Sequence, residues 1–154
     1  MCFVGPVGIG KTTFSQIVSQ ALGKKFFAVS LGGLSDSSIL IGSEANSPAN
    51  NMGQLAKALV ETKTHDPVIL LDEIDKTGSS LKNCLANVLD SAQNQEILDH
   101  YLEVNLDFSR VTFIITANNL KKIPNSLHDR MLVVKLPGYT VDKKREIANK
   151  IIQR

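Results

Sequence analysis

The sequence predicts an α/β fold built on a parallel sheet whose central strands are covered on both faces. Three observations predict it. Val68-Ile69-Leu70-Leu71 and Val111-Thr112-Phe113-Ile114-Ile115-Thr116 are short, nearly unbroken apolar runs, which suit strands buried on both sides. Between such runs, apolar residues recur at helical spacing. A glycine-rich turn joins the first run to the first helical pattern, as in a βα unit. The 154 residues suit one domain, and the apolar and charged fractions of 43% and 21% are those of an ordinary globular chain.

Met1-Cys2-Phe3-Val4 is the first expected strand. It runs into Gly5-Pro6-Val7-Gly8-Ile9-Gly10-Lys11-Thr12, which fits G-x-x-x-x-G-K-[ST], a phosphate-binding loop or Walker A motif. The glycines let backbone N–H groups approach phosphate oxygens. Lys11 can reach the β- and γ-phosphates of ATP, and the Thr12 hydroxyl can hold Mg²⁺. The competing reading is an ordinary glycine-rich turn; the strand before it and the helix after it favour the nucleotide. That helix carries Phe14, Ile17, Val18, Ala21 and Leu22 as its apolar set, and Gly23 ends it.

Residues 26–31 form a second expected strand, closed by Gly32-Gly33, and polar residues 34–53 read as a long loop. From Met52 a helical face returns at Leu55, Ala56, Leu59 and Val60. Pro67 opens the strand that ends in Asp72-Glu73-Ile74-Asp75, and four apolar residues followed by Asp-Glu make a Walker B motif. Asp72 is placed to share Mg²⁺ with Thr12, and Glu73 to activate the attacking water. Taken alone, the two carboxylates would read as solvated strand-end groups; the upstream phosphate loop favours the catalytic reading. Asp75 and Lys76 read as solvated or structural.

Ser79 or Ser80 is expected to cap the next helix, whose face is Leu81, Cys84, Leu85, Val88 and Leu89. Alternation through residues 101–106 predicts a small hairpin or edge strand. The strand at 111–116 delivers Ala117-Asn118-Asn119 to the sheet's carboxyl edge, where ligands bind in open α/β sheets. There Asn118 either contacts a γ-phosphate or its attacking water, or is a turn residue. Residues 131–136 form the fifth strand. Thr140 can cap a last helix with Ile147, Ala148, Ile151 and Ile152 on one face.

The net charge of +2 argues against nucleic acid or an acidic membrane as partner, and no apolar run is long enough to span a bilayer. Cys2 and Cys84 are too few for a zinc site or disulfide framework, so a reducing compartment is expected: the cytoplasm, with the mitochondrial matrix as alternative. The sequence opens on its nucleotide-binding strand and stops in a helix, which leads us to expect a fragment covering residues 1–154 of a nucleotide-binding subdomain.

The ordered set GPVGIGKT, PVILLDEIDK, Gln93-Asn94, DHYL, ITANN, LHDRM and LPGYT resembles the AAA+ ATPase module of Lon-type proteases over nearly the whole chain. The resemblance implies the large α/β subdomain, a five-stranded parallel sheet in the order 5-1-4-3-2 with helices on both faces, without the small helical lid. It implies ATP/ADP and Mg²⁺ as cofactors, a hexameric ring of identical subunits, and protein substrates that are unfolded and delivered to a protease domain. Asn118 matches sensor 1. Arg130 matches the arginine finger that reaches a neighbour's nucleotide; its bland alternative is an ion pair with Asp129 or another carboxylate. Two departures stand out. Ser47-Pro48 occupy the place of a substrate-gripping aromatic–aliphatic pair, and Ser91-Ala92 replace a Pro-Glu pair. The first raises a second reading, a remodelling or regulatory ATPase without protease activity. A third is a nucleotide-dependent assembly module.

Overall fold

The computed structural model describes residues 1–44 and 51–152. Its strands are β1 (Cys2–Val4), β2 (Phe26–Ser30), β3 (Val68–Asp72), β4 (Ile97–Asp99), β5 (Val104–Leu106), β6 (Thr112–Ala117) and β7 (Val133–Lys135). Its helices are α1 (Lys11–Ala21), α2 (Ser38–Ile41), α3 (Gln54–Thr62), α4 (Ser79–Val88), α5 (Asn125–His128) and α6 (Val141–Ile152). Five strands form one sheet in the order β2-β3-β6-β1-β7, every pair parallel. With the separate β4–β5 hairpin left out of the count, this is the expected order 5-1-4-3-2.

Strand alternation explains why the runs read as continuously apolar. Ile69 and Leu71 of β3, Phe113 and Ile115 of β6, and Cys2 and Val4 of β1 enter the larger core, which also takes Leu55 and Ala58 of α3 and Leu81 and Leu85 of α4. Their neighbours Val68, Leu70, Ile114 and Phe3 face the opposite side and form a second cluster with Val18 of α1. Both faces are thus covered, and the polar positions of β3 and β6, Asp72, Thr112 and Thr116, stand at or next to the strand ends.

Several expectations are corrected. α1 has the expected limits but not the expected buried face: Lys11, Ser15 and Ser19 are buried, whereas Phe14, Ile17 and Leu22 are about half exposed. The Ser15 hydroxyl donates to Lys11 O at 2.9 Å and that of Ser19 to Lys24 O at 2.7 Å, so small satisfied hydroxyls lie inward. Phe14 keeps an edge-on contact with Phe3, the ring centroids 5.1 Å apart. Apolar spacing sets the period of a helix; the loop that starts it sets its rotation. In α3, Val60 is likewise exposed, and Ala58 is buried instead.

Gly78, not Ser79 or Ser80, occupies the cap position of α4. Its N–H donates to Leu34 O at 2.9 Å, and a Cβ there would lie 2.7 Å from the Ser35 side chain. The expected loop at 34–53 contains α2, and Ser47-Pro48 lie outside the described residues. The alternation at 101–106 resolves into the β4–β5 hairpin, with Tyr101 in its turn. Buried Asp99 makes that turn: its Oδ1 accepts from the N–H groups of Tyr101 and Leu102 at 3.0 and 2.9 Å, and its Oδ2 from Gly53 N at 3.0 Å. The last helix is nearly all exposed, with Ile147 half-buried. Thr140 Oγ1 accepts from Lys143 N at 3.4 Å, as a cap does.

Candidate functional site

The parallel sheet brings three strand ends to one edge. Val4 of β1 pairs with Ala117 of β6, and Leu71 of β3 with Ile115. The segments that follow these strands carry the residues expected to bind nucleotide.

The loop after β1 starts with Gly5, whose N–H donates to Ala117 O at 3.1 Å. A Cβ at Gly5 would run into the Leu136 carbonyl, so only glycine fits between β1 and β7. Gly8 and Gly10 have φ of 80° and 83°, which turns the chain into α1 without a side-chain cap. Among the described residues no protein acceptor meets the N–H groups of Gly8, Ile9, Gly10, Lys11 or Thr12. Open donors at a helix N-terminus favour an anion.

Lys11 is 9% exposed, and its ammonium donates to Gly5 O at 2.8 Å, Pro6 O at 2.9 Å and Asn118 Oδ1 at 2.8 Å. Burial lowers its pKa, and the carboxylates of Asp72, Asp75 and Glu73 pull the other way. Asn118 thus meets Lys11 across the sheet edge.

The Asp72-Glu73 segment is braced from β6. Thr116 Oγ1 donates to Asp72 Oδ1 and accepts from Glu73 N at 3.0 Å. Asp72 Oδ2 accepts from Thr12 Oγ1 at 3.3 Å. These two adjoining oxygens suit Mg²⁺, which takes one or two protein oxygens and completes its octahedron with phosphate and water. Among the described residues there is no group of three or more His, Cys, Asp or Glu that could hold a metal ion.

Glu73 sits at φ 63°, ψ 43°, a left-handed conformation costly for a side-chain-bearing residue. Its Oε1 accepts from Lys76 Nζ. Asp75, 7% exposed, accepts from Asn118 N at 3.1 Å and Asn119 N at 3.2 Å. Asp75 is thus structural, the brace that fixes the Asn118 turn, and Lys76 is an ion-pair partner. Thr116, Asp75 and Lys76 were not legible as site residues, because their roles come from contacts between segments about forty positions apart or from a side-chain rotamer.

Arg130 is not brought to this group. Its NH1 donates to Ser126 O at 2.6 Å and its NH2 to Asp90 Oδ2 at 2.9 Å, so the ion pair is with Asp90 and not with Asp129. Arg130, and then the Ala92 N–H, hold the Asp90 carboxyl below its ordinary pKa.

Beside the phosphate loop lies a cleft of ≈ 330 Å³, walled by Pro6, Val7, Gly8 and Ile9 on one side and by Tyr139, Lys144, Ile147 and Ala148 on the other. Tyr139 donates its hydroxyl to Ile9 O at 3.0 Å, tying α6 to the loop. The signal in the sequence was Pro137-Gly138 just before an aromatic residue at the start of a helix. A larger cavity of ≈ 670 Å³ between α4 and the hairpin is lined by none of residues 5–12, Asp72 or Glu73.

The family described as "ATPase family associated with various cellular activities (AAA)" matches residues 1–137. The chain is 44% identical over 154 residues to the Lon protease of Desulfovibrio desulfuricans, covering 97% of this chain and 18% of that protein. It is 44% identical to Lon protease homolog 2, peroxisomal, of Oryza sativa subsp. indica, covering 97% of this chain and 17% of that protein. It is 43% identical to the protein of that name from Pongo abelii, with 97% and 18% covered. The chain spans less than a fifth of the length of these curated relatives. No helix among the described residues is long and apolar enough to cross a membrane.

Proposed function

Since this chain belongs to the AAA family of ATPases, we infer that it is the ATP-binding and ATP-hydrolysing motor module of a Lon-like ATP-dependent protease. The observation that carries this reading is the continuous set of contacts from Lys11 to Asn118 and from Thr12 through Asp72 and Thr116 to Glu73. All of these groups lie at one sheet edge beside open loop donors.

The residues divide the work. The N–H groups of Gly8 to Thr12 bind the phosphates, and the Lys11 ammonium neutralises charge on the β- and γ-phosphates. Thr12 and Asp72 would hold Mg²⁺, which when bound supplies further charge neutralisation on the transferring group. Glu73 accepts a proton from the attacking water as its oxygen bonds to the γ-phosphorus. The bond to the β,γ-bridging oxygen breaks, leaving ADP and phosphate. Asn118 orients the water or the γ-phosphate. The cleft closed by Tyr139 takes the nucleotide base.

In the assembled protein the chain works in a hexameric ring on protein substrates, with Arg130 stabilising charge on a neighbour's nucleotide. Its compartment is a reducing one, the cytoplasm first and the mitochondrial matrix second, a reading supported by two free cysteines. The Ser47-Pro48 sequence favours, as second reading, a remodelling or regulatory ATPase without protease activity; whether the full-length protein has peptidase activity decides between them.

The test is Glu73→Gln in the assembled full-length ring. Nucleotide affinity stays near that of the parent while turnover falls by about 100-fold or more, the range for loss of a general base. Equal hydrolysis by the two rings sinks the role given to Glu73.

A further inference from the structure

Arg130 is set in place within its own chain. The backbone beneath it is fixed: Leu127 and Met131 on either side enter the core, and Arg130 N donates to Leu127 O at 3.1 Å. Its guanidinium is fixed in turn. One terminal nitrogen donates to Ser126 O at 2.6 Å, and the other reaches Asp90 Oδ2, forty positions away, at 2.9 Å. A guanidinium carries five N–H donors in a rigid plane. The donors beyond these two have no hydrogen-bond partner among the described residues, and the side chain is 34% exposed, so they stay open to a ligand.

Asp90 is itself anchored. It follows Leu89, the C-cap of α4. Its main-chain oxygen accepts from Gln93 N at 3.0 Å and Asn94 N at 2.9 Å, and its Oδ1 accepts from Ala92 N at 3.0 Å. The two carboxylate oxygens thus have separate tasks: Oδ1 closes the Ser91-Ala92 turn, and Oδ2 takes Arg130. A carboxylate at the C-terminal end of a helix is opposed by the helix dipole. The stability of α4 therefore does not explain Asp90, whereas the order it imposes on Arg130 does. A long side chain ordered beforehand loses less entropy when it docks. We propose that Asp90 is a positioning residue that fixes the Arg130 guanidinium in the orientation from which its open N–H groups meet the nucleotide phosphates of a neighbouring subunit. The inference rests on the reading of Arg130 as the residue that acts on a neighbour's nucleotide.

Mixed rings of the full-length protein test this. Asp90→Asn keeps an Oδ1 for the Ala92 N–H and removes the charge that meets Arg130. In a ring of Asp90→Asn alone, kcat should fall by about 10-fold, less than on removing Arg130 itself, with nucleotide affinity unchanged. Coassembly with Glu73→Gln subunits, whose Asp90–Arg130 pair is intact, should restore kcat per Asp90→Asn subunit severalfold, because the neighbour then supplies a positioned arginine. A role of Asp90 confined to the fold of its own subunit would give no such recovery. Arg130→Ala subunits coassembled with Glu73→Gln should recover in the same way. The double variant of Asp90→Asn with Arg130→Ala should be no slower than Arg130→Ala alone. An Asp90→Asn ring as fast as the parent, a double variant slower than Arg130→Ala, or recovery of Arg130→Ala without recovery of Asp90→Asn overturns the proposal alone. No recovery of Arg130→Ala overturns the reading of Arg130, and the proposal with it.

Discussion

The inner edge of the sheet and its outer rim are built differently. At the inner edge, where β1, β3 and β6 end, Lys11, Asp72, Asp75 and Thr116 each meet partners within the chain, and Asp75 and Thr116 are buried. At the rim, Arg130 holds a partly exposed pair with Asp90, Tyr139 is 40% exposed, and α6 faces the glycine loop across a cleft, with the Tyr139 hydroxyl just before the helix bonded to Ile9 O. Buried polar contacts act in any setting, because leaving one partner unsatisfied costs free energy at once. Half-exposed rim contacts are weak alone and take their weight from what covers them. Phosphate recognition should therefore be a property of the isolated chain, and efficient hydrolysis a property of the assembly.

The largest effect is expected from Arg130→Ala. In the assembled ring, hydrolysis should fall by about 1,000-fold, as when an arginine finger is removed. In the isolated chain, nucleotide affinity should stay unchanged and stability should drop by no more than about 1 kcal/mol, the worth of a half-exposed ion pair. An equal loss of hydrolysis in isolated and assembled protein would place Arg130 within its own site.

Next is Lys11→Ala at the inner edge. Titration with nucleotide should show a loss of about 100-fold in affinity, since hydrogen bonds to a charged group carry ~1.5–3 kcal/mol each. That loss should be the same in isolated and assembled protein; a loss confined to the ring would erase the distinction between edge and rim. The smallest effect is on folding. Asp75→Ala leaves the Asn118 and Asn119 N–H groups without their acceptor. Urea unfolding should show a loss of about 1–3 kcal/mol. An unchanged midpoint would mean that solvent replaces the carboxylate and that the edge is less closed than its burial indicates.

Local pattern carried much of the architecture. Residues 68–71 read as a buried strand because every side chain in them is apolar, and burial on both faces admits nothing else. The phosphate loop was legible because glycine is required where φ is positive and where β7 approaches Gly5. Asp72 and Glu73 followed from their position after a buried strand. Rotations and caps were less legible. Phe14, Ile17 and Leu22 have the spacing of a core face, yet Ser15 and Ser19 lie inward, because the loop geometry sets the rotation of α1.

Residue order alone settles which segments form the sheet, where the glycine turn lies, and which carboxylates stand at the end of β3. Each of these depends on residues adjacent in the chain and on short-range sterics and burial. The packing of the chain settles the rest: that Asn118 reaches Lys11, that Thr116 links Asp72 to Glu73, that Asp75 holds the Asn118 turn, that Lys76 pairs with Glu73, and that Arg130 pairs with Asp90. Most of these contacts join residues about forty or more positions apart. Their partners are chosen by strand order and register, and a hydrogen bond that forms or fails within a few tenths of an ångström is not encoded in residue type alone.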